Sequence, residues 1–115
     1  MADESLRARQ GPKIKRRTIS LLKKEETMQV QNMRSPRGNT VPNQFIINHN
    51  GEEYFQSYRV IIAKIDNNGK RYLDSYYWDY SVTTGRYRNL FLNETIKETR
   101  EKIESGEYIL MDLNS

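Results

Sequence analysis

The residues best suited to chemistry or recognition are concentrated in one stretch, residues 76–88. This stretch contains the only Trp of the chain and four of its eight Tyr, together with Asp79, Arg86 and Arg88. Aromatic side chains and arginine are enriched at protein interfaces because they combine a large, rigid contact area with polar groups. The same residue types stack on single-stranded bases and bind phosphates. The stretch therefore predicts a binding surface for a protein or a nucleic acid.

Six residues of this stretch are the predicted partner-binding site: Tyr76, Trp78, Tyr80, Arg86, Tyr87 and Arg88. If a strand continued through the stretch from Leu73, alternation would place Tyr72, Tyr76, Trp78 and Tyr80 together on one sheet face. An open face would make these rings a binding surface, whereas a face covered by helices would make them core. The sequence alone leaves both alternatives open.

Catalysis finds little support in the residue pattern. His49 is the only His and stands beside a predicted turn, so no Ser–His or Thr–His pair is specified. The carboxylates Asp66, Asp74 and Asp79 have no sequence context that would raise a pKa. The chain has no Cys, no clustered metal ligands and no glycine-rich phosphate-binding motif. We therefore predict a protein that is not an enzyme and that binds no metal and no cofactor.

Net positive charge is confined to the front third of the chain. Residues 1–41 carry ten Lys/Arg and four Asp/Glu, whereas residues 42–115 carry nine and eleven. The alternative function is therefore nucleic-acid binding, in which the basic arm supplies phosphate affinity and the aromatic stretch stacks bases. The residues predicted for that role are Lys13, Lys15, Arg16, Arg17, Lys23, Lys24, Arg34 and Arg37.

Domain organisation follows from the same change in composition. Residues 1–41 are predicted to be a disordered basic arm and linker, because they contain too little apolar surface to offset the entropy of ordering. Residues 42–115 are predicted to be a single domain. Natural translation could also begin at Met28, which would make residues 1–27 an upstream extension. No stretch is apolar enough for a membrane span or a secretory signal, so the expected location is the cytoplasm.

Turn residues and apolar spacing predict the elements that position the stretch. Asn50-Gly51 and Asp66–Gly69 are typical of tight turns and divide residues 44–75 into four strands. Ser81, Thr83 or Thr84 begins a first helix, Asn93 begins a second helix, and Gly106 ends it. Residues 107–113 form a last strand.

The predicted fold class is α+β. A four-strand antiparallel meander and a C-terminal strand form a small sheet, with two short helices packed on one face. The predicted core is Phe45, Ile47, Phe55, Val60, Ile62, Ile65, Leu73, Leu90, Phe91, Ile96, Ile103, Ile109, Leu110 and Met111.

Three segments carry a resemblance to a known group of proteins. Tyr77-Trp78-Asp79-Tyr80-Ser81 with Thr83, Thr84 and Tyr87, the preceding residues 54–58 and the following residues 105–108 resemble a family of small phage-encoded proteins of unknown function. The resemblance covers about residues 43–114. It implies expression in a bacterial host cytoplasm and an accessory or host-modulating role. It identifies no functional residue.

The favoured hypothesis is a small phage accessory protein that binds a host or viral protein through its aromatic and arginine residues. Nucleic-acid binding through the basic arm is the alternative, and no membrane contact is expected.

Overall fold

The computed structural model describes residues 28–115, which form six strands and two helices. The predicted basic arm, residues 1–27, lies outside the described residues. In chain order the elements are β1 (Met28–Arg34), β2 (Thr40–His49), β3 (Glu52–Ser57), β4 (Val60–Ile65), β5 (Arg71–Asp74), α1 (Val82–Leu92), α2 (Ile96–Ser105) and β6 (Ile109–Met111). The α+β class is confirmed.

The strands form one sheet in which spatial order follows chain order from β1 to β6. The predicted turns are present. Asn50 and Gly51 have φ values of 55° and 82°, as a two-residue hairpin requires. The Asp66 carboxylate accepts hydrogen bonds from the backbone N–H groups of Asn68 and Lys70, both at 2.9 Å. These turns fix the register of the neighbouring strands.

The structure corrects the prediction of a linker over residues 28–41. Seven of these residues form β1, which pairs with β2 from Met28↔His49 to Arg34↔Thr40. The meander therefore has five antiparallel strands instead of four, and β6 lies parallel to β5. The strand signal was weak because β1 has a strand neighbour on one side only within the described region. Such an edge strand needs few apolar side chains.

Side chains and positive-φ residues define the ends of the helices. Ser81 caps α1, with its Oγ accepting from the Thr84 N–H at 3.1 Å. Asn93, predicted to begin the second helix, instead ends α1 in the left-handed conformation at φ 58°. Thr95 begins α2 and forms a capping box with Glu98, and Gly106 ends it at φ 85°.

Helix α1 packs on one face of the sheet, and Ile103 of α2 packs against the same core. The Phe55 and Phe91 rings lie 5.9 Å apart, and the Ser57 and Thr84 hydroxyls are hydrogen-bonded at 2.9 Å. At the C-terminal end of α1, the Arg71 side chain of β5 donates to the Leu92 carbonyl at 3.0 Å. The buried apolar side chains are Met33, Phe55, Ile62, Ala63, Leu73, Tyr87, Leu92 and Tyr108.

Part of the predicted core is wrong. Phe55, Ile62 and Leu73 are buried as expected, and Val60, Phe91 and Ile103 are partly buried against them. Four predicted core residues are exposed: Leu90, Ile109, Leu110 and Met111. The helical phase explains the first of these, because α1 buries Leu92 and turns Leu90 outward. The three others belong to β6, which is a short edge strand.

The sheet face opposite the helices carries one row of paired side chains. This row crosses all six strands through Val30, Ile47, Tyr54, Lys64, Tyr72 and Ile109. The Lys64 ammonium lies 5.9 Å and 5.4 Å from the rings of Tyr54 and Tyr72, which is within cation–π range. The Tyr54 and Tyr72 hydroxyls donate to acidic side chains at 2.8 and 2.9 Å. The centre of this face is therefore a set of mutually satisfied groups.

Candidate functional site

A carboxylate at the end of β5 shapes the aromatic stretch. The Asp74 Oδ2 accepts hydrogen bonds from the N–H groups of Tyr76 at 3.1 Å and Tyr77 at 2.8 Å. The chain therefore turns at Ser75 and does not continue as a strand, so the alternation expected for the aromatic residues does not apply. Asp74 Oδ1 accepts from Leu113 N at 2.8 Å and Asn114 Nδ2 at 3.0 Å. Burial acts to raise the pKa of Asp74, but these hydrogen bonds outweigh it and hold the pKa below its usual value.

The turn presents tyrosine rings to solvent. Tyr76 is 78% exposed and Tyr80 is 62% exposed. Tyr77 lies between them, with ring-centroid distances of 4.7 Å and 5.3 Å in edge-to-face arrangements. Such packing holds exposed rings in place and so lowers the entropy lost when a partner binds. Trp78 is different, because its half-buried ring packs against the core.

Arg88 is a structural residue in this arrangement, contrary to its predicted role at the surface. It is 1% exposed, and its guanidinium lies 5.2 Å from the centre of the Trp78 ring. Nη1 donates to the Trp78 carbonyl at 2.8 Å and to Asp79 Oδ1 at 3.1 Å, and Nη2 donates to Asn89 Oδ1 at 3.0 Å. The Nε group is buried without a hydrogen-bond partner among the described residues. Arg88 therefore fastens α1 to the turn.

Tyr87 is also placed inside the fold. It is 8% exposed and belongs to the main apolar cluster, so it is not available to a partner. Of the six predicted partner-binding residues, Tyr76, Tyr80 and Arg86 are exposed, and Trp78 is half-buried. The prediction combined residues from different faces of α1: Arg86 points outward, whereas Tyr87 and Arg88 point inward.

The outward face of α1 carries the residues that complete the surface. Val82, Arg86 and Leu90 follow one another at intervals of four residues and so share one side of the helix. Val82 is 81% exposed and Leu90 is 44% exposed. Exposed aliphatic side chains beside exposed Tyr and Arg are typical of interaction surfaces. Leu90 is a predicted core residue, and this prediction is wrong. Its helical spacing from Val82 and Arg86 is the sequence signal that it shares their outward face.

An open groove of about 780 Å³ lies along this face of α1. We call it the α1 groove. Its lining comes from the β1–β2 turn, the aromatic turn and both helices: Pro36, Asp79, Ser81, Val82, Gly85, Arg86, Arg88, Asn89, Leu90, Ile96 and Arg100. Asp79 is held between two arginines, with Oδ1 3.1 Å from Arg88 and Oδ2 3.2 Å from Arg100.

A second group of buried charges lies away from the groove. Glu94 accepts from Lys102 at 2.9 Å, from Tyr108 at 2.6 Å and from Thr99 at 2.5 Å. Burial acts to raise the pKa of Glu94, but these donors outweigh it and lower the pKa. Burial and the Glu94 hydrogen bond raise the pKa of Tyr108. Each carboxylate oxygen of Glu94 has a donor, and Tyr108 in turn accepts from Arg71 at 3.1 Å, so this cluster ties α2 to the sheet.

Six of the eight residues predicted to bind nucleic acid are not among the described residues. Lys13, Lys15, Arg16, Arg17, Lys23 and Lys24 lie outside the described residues. Arg34 donates to the Gly38 carbonyl at 2.9 Å and so stabilises the β1–β2 turn. Arg37 is exposed in that turn, next to Pro36 of the groove. Within residues 28–115, no cluster of three or more acidic or His side chains is placed to hold a metal ion. Both helices of this region are too short and polar to span a bilayer.

The comparisons with known proteins give a family but no activity. A model described as a family of unknown function (DUF8033) matches residues 28–107, which include the aromatic turn and both helices. The match begins at Met28, the first residue of β1. No curated protein and no solved structure matches the chain.

Proposed function

This chain belongs to the DUF8033 family, and we propose that it is a non-enzymatic binding module that engages a protein partner through the α1 groove and the adjoining tyrosines. The observation that carries the proposal is the exposure of large apolar side chains in the α1 groove and in the aromatic turn that adjoins it. Val82 and Leu90, which line the groove, are 81% and 44% exposed. Tyr76 and Tyr80 in the aromatic turn are 78% and 62% exposed. Exposed groups of this kind are stabilised when a partner removes them from water.

The rigidity of the surface supports the proposal. Asp74 holds the aromatic turn by two backbone N–H groups, and Arg88 joins the turn to α1 through Trp78 and Asp79. A surface fixed before binding loses less entropy when the complex forms. Arg86 and Arg100 stand at the rim of the groove, where charged groups orient a partner and increase the association rate.

The absence of an activated group in residues 28–115 argues for binding over catalysis. The buried carboxylates Asp74 and Glu94 have lowered pKa values and several donors each. A general acid or base needs a pKa near the working pH and an unoccupied path to substrate. Neither side chain meets both conditions.

The setting we propose is the cytoplasm of a bacterial host. It rests on the resemblance of residues 43–114 to small phage-encoded proteins, and the partner would then be a host or viral protein. Nucleic-acid binding is the second candidate, favoured by one observation: the turn that carries Arg37 contributes Pro36 to the groove edge.

Affinity capture with matched charge substitutions tests the proposal. Val82→Asp places a carboxylate in the exposed apolar surface, whereas Asn68→Asp makes the same addition in the exposed β4–β5 turn. We expect tagged wild-type and Asn68→Asp chains to retain the same protein from host or infected-host lysate, and Val82→Asp to lose it. Equal retention by all three chains would place the binding surface elsewhere.

A further inference from the structure

We infer that the α1 groove receives an acidic segment of the partner protein, with carboxylates at the arginine rim and an apolar side chain inside. This inference rests on the proposed function and names the chemistry of the partner at the same site. It is carried by the charges that line the groove and by the apolar side chains that line it beside them.

Positive charge exceeds negative charge in the groove. Three arginines, Arg86, Arg88 and Arg100, share the lining with a single acid, Asp79. Both oxygens of Asp79 are already engaged, one by Arg88 and one by Arg100. Among the ion pairs formed between described residues, none includes Arg86. The rim therefore offers an exposed guanidinium suited to a carboxylate that the groove itself does not supply.

The buried position of Arg88 strengthens this bias. Its side chain is 2% exposed, so its charge acts through protein and is screened less by salt than a surface charge. Gly85 lies directly over it, and a Cβ built at Gly85 would lie 3.5 Å from Arg88 Nη2. Because Gly85 has no side chain, little protein separates the groove from the Arg88 guanidinium at this point. Arg88 therefore adds positive charge at the base of the groove, offset in part by its ion pair with Asp79.

The apolar lining separates a protein segment from other anions. Val82, Leu90 and Ile96 line the same groove as the arginines, and the first two are substantially exposed. Eight residues separate Val82 from Leu90, which gives about 12 Å along the helix axis at ~1.5 Å per residue. This length suits two turns of a partner helix or a short extended segment. Free phosphate or a sugar–phosphate backbone has no apolar group for these side chains.

Selection from a random peptide library displayed on phage tests the inference, with the immobilised full-length chain as bait. We expect the enriched peptides to combine two or more Asp or Glu with Leu, Ile or Phe. Two bait variants provide the comparison, Arg86→Glu in the groove and Arg59→Glu in the exposed β3–β4 turn. A synthetic copy of the best peptide should bind Arg86→Glu about tenfold or more weakly, and Arg59→Glu within about twofold of wild type.

Every other outcome is decisive against the inference. Enrichment without an acidic bias, equal binding by both variants, or no enrichment at all would overturn it. A labelled oligothymidylate that binds the wild-type chain and loses affinity with Arg86→Glu would favour nucleic acid instead. If Val82→Asp abolishes partner capture while Arg86→Glu leaves it unchanged, the proposed function stands and the acidic-segment inference fails. Thermal melts of each variant confirm that folding is retained.

Discussion

The buried guanidinium of Arg88 donates to the half-exposed carboxylate of Asp79 across 3.1 Å, and this contact joins helix α1 to the aromatic turn. Arg86, two residues earlier, is exposed and points to the groove. Two arginines that look equivalent in the sequence are therefore placed differently, Arg88 buried within the fold and Arg86 exposed at the groove. This difference leads to the first prediction.

Arg88→Ala is expected to destabilise the fold by about 2–3 kcal/mol, because it removes the buried side chain that donates to the Trp78 carbonyl, Asp79 and Asn89. Arg86→Ala is the matched control and should change the free energy of unfolding by no more than about 0.5 kcal/mol. Urea unfolding followed by Trp78 fluorescence measures both. Equal effects of the two substitutions would contradict the assignment of Arg88 to the structural interior.

Gly85→Ala is expected to move stability and binding in opposite directions. Gly85 lies in α1 and does not have a positive φ, so Ala should stabilise the helix by up to about 1 kcal/mol. The added methyl would make an ordinary contact 3.5 Å from Arg88 Nη2 and raise the floor of the groove. Thermal unfolding and partner capture should show a higher Tm with weaker binding. Unchanged binding would indicate that the partner does not enter the groove at this point.

Stability is expected to fall in acid because of Asp74 and Glu94. Both carboxyls have a pKa below the usual value of about 3.9 for Asp or 4.3 for Glu, so the unfolded chain binds protons more readily than the folded one. Their contribution is therefore complete above about pH 5 and is lost as the pH falls through the lowered folded-state values.

Urea midpoints measured between pH 7 and pH 3 check this sign. The wild-type midpoint should be nearly constant down to about pH 5 and then decrease. Glu94→Gln should lower the midpoint at pH 7 and make the decrease in acid shallower, because one of the two titrating groups is removed. A midpoint that rises on acidification would show that the hydrogen bonds to these carboxylates do not control the titration.

Gln44→Leu is expected to stabilise the protein by about 1–2 kcal/mol. Gln44 is 0% exposed, and both amide atoms are buried without a hydrogen-bond partner among the described residues. Leu has a similar volume and avoids the cost of burying an unsatisfied amide. A lower Tm for Gln44→Leu would show that the amide makes a stabilising contact.

The hairpins and the fold class could be predicted because short local signals determine them. The turns at Asn50-Gly51 and Asp66–Gly69 contain residues that adopt the positive φ values tight turns require. Gly106 likewise adopts the positive φ that ends helix α2. β1 could not be recognised in the same way. Met28 and Val30 form too weak an apolar pattern to predict a strand, and β1 is held in the sheet by its pairing with β2.

The candidate site was harder to predict than the fold, because exposure depends on tertiary packing. The strand alternation expected for the aromatic stretch is wrong, because the Asp74 carboxylate holds the chain in a turn at this point. Composition suggests that Arg88 is at the surface, since buried arginines are uncommon. Only the packed position of Trp78 and Asp79 shows why it is buried. Arg100 joined the groove through the packing of α2, which no local pattern encodes.

Site-specific photo-crosslinking tests the central claim most directly. A benzophenone amino acid replaces Val82 in the groove of one chain and Asn68 in the β4–β5 turn of a control chain, both exposed positions. We expect irradiation in the host cell to give one defined protein adduct from position 82 and none from position 68. Adducts of equal yield from both positions, or an adduct from position 68 alone, would contradict the α1 groove as the binding surface.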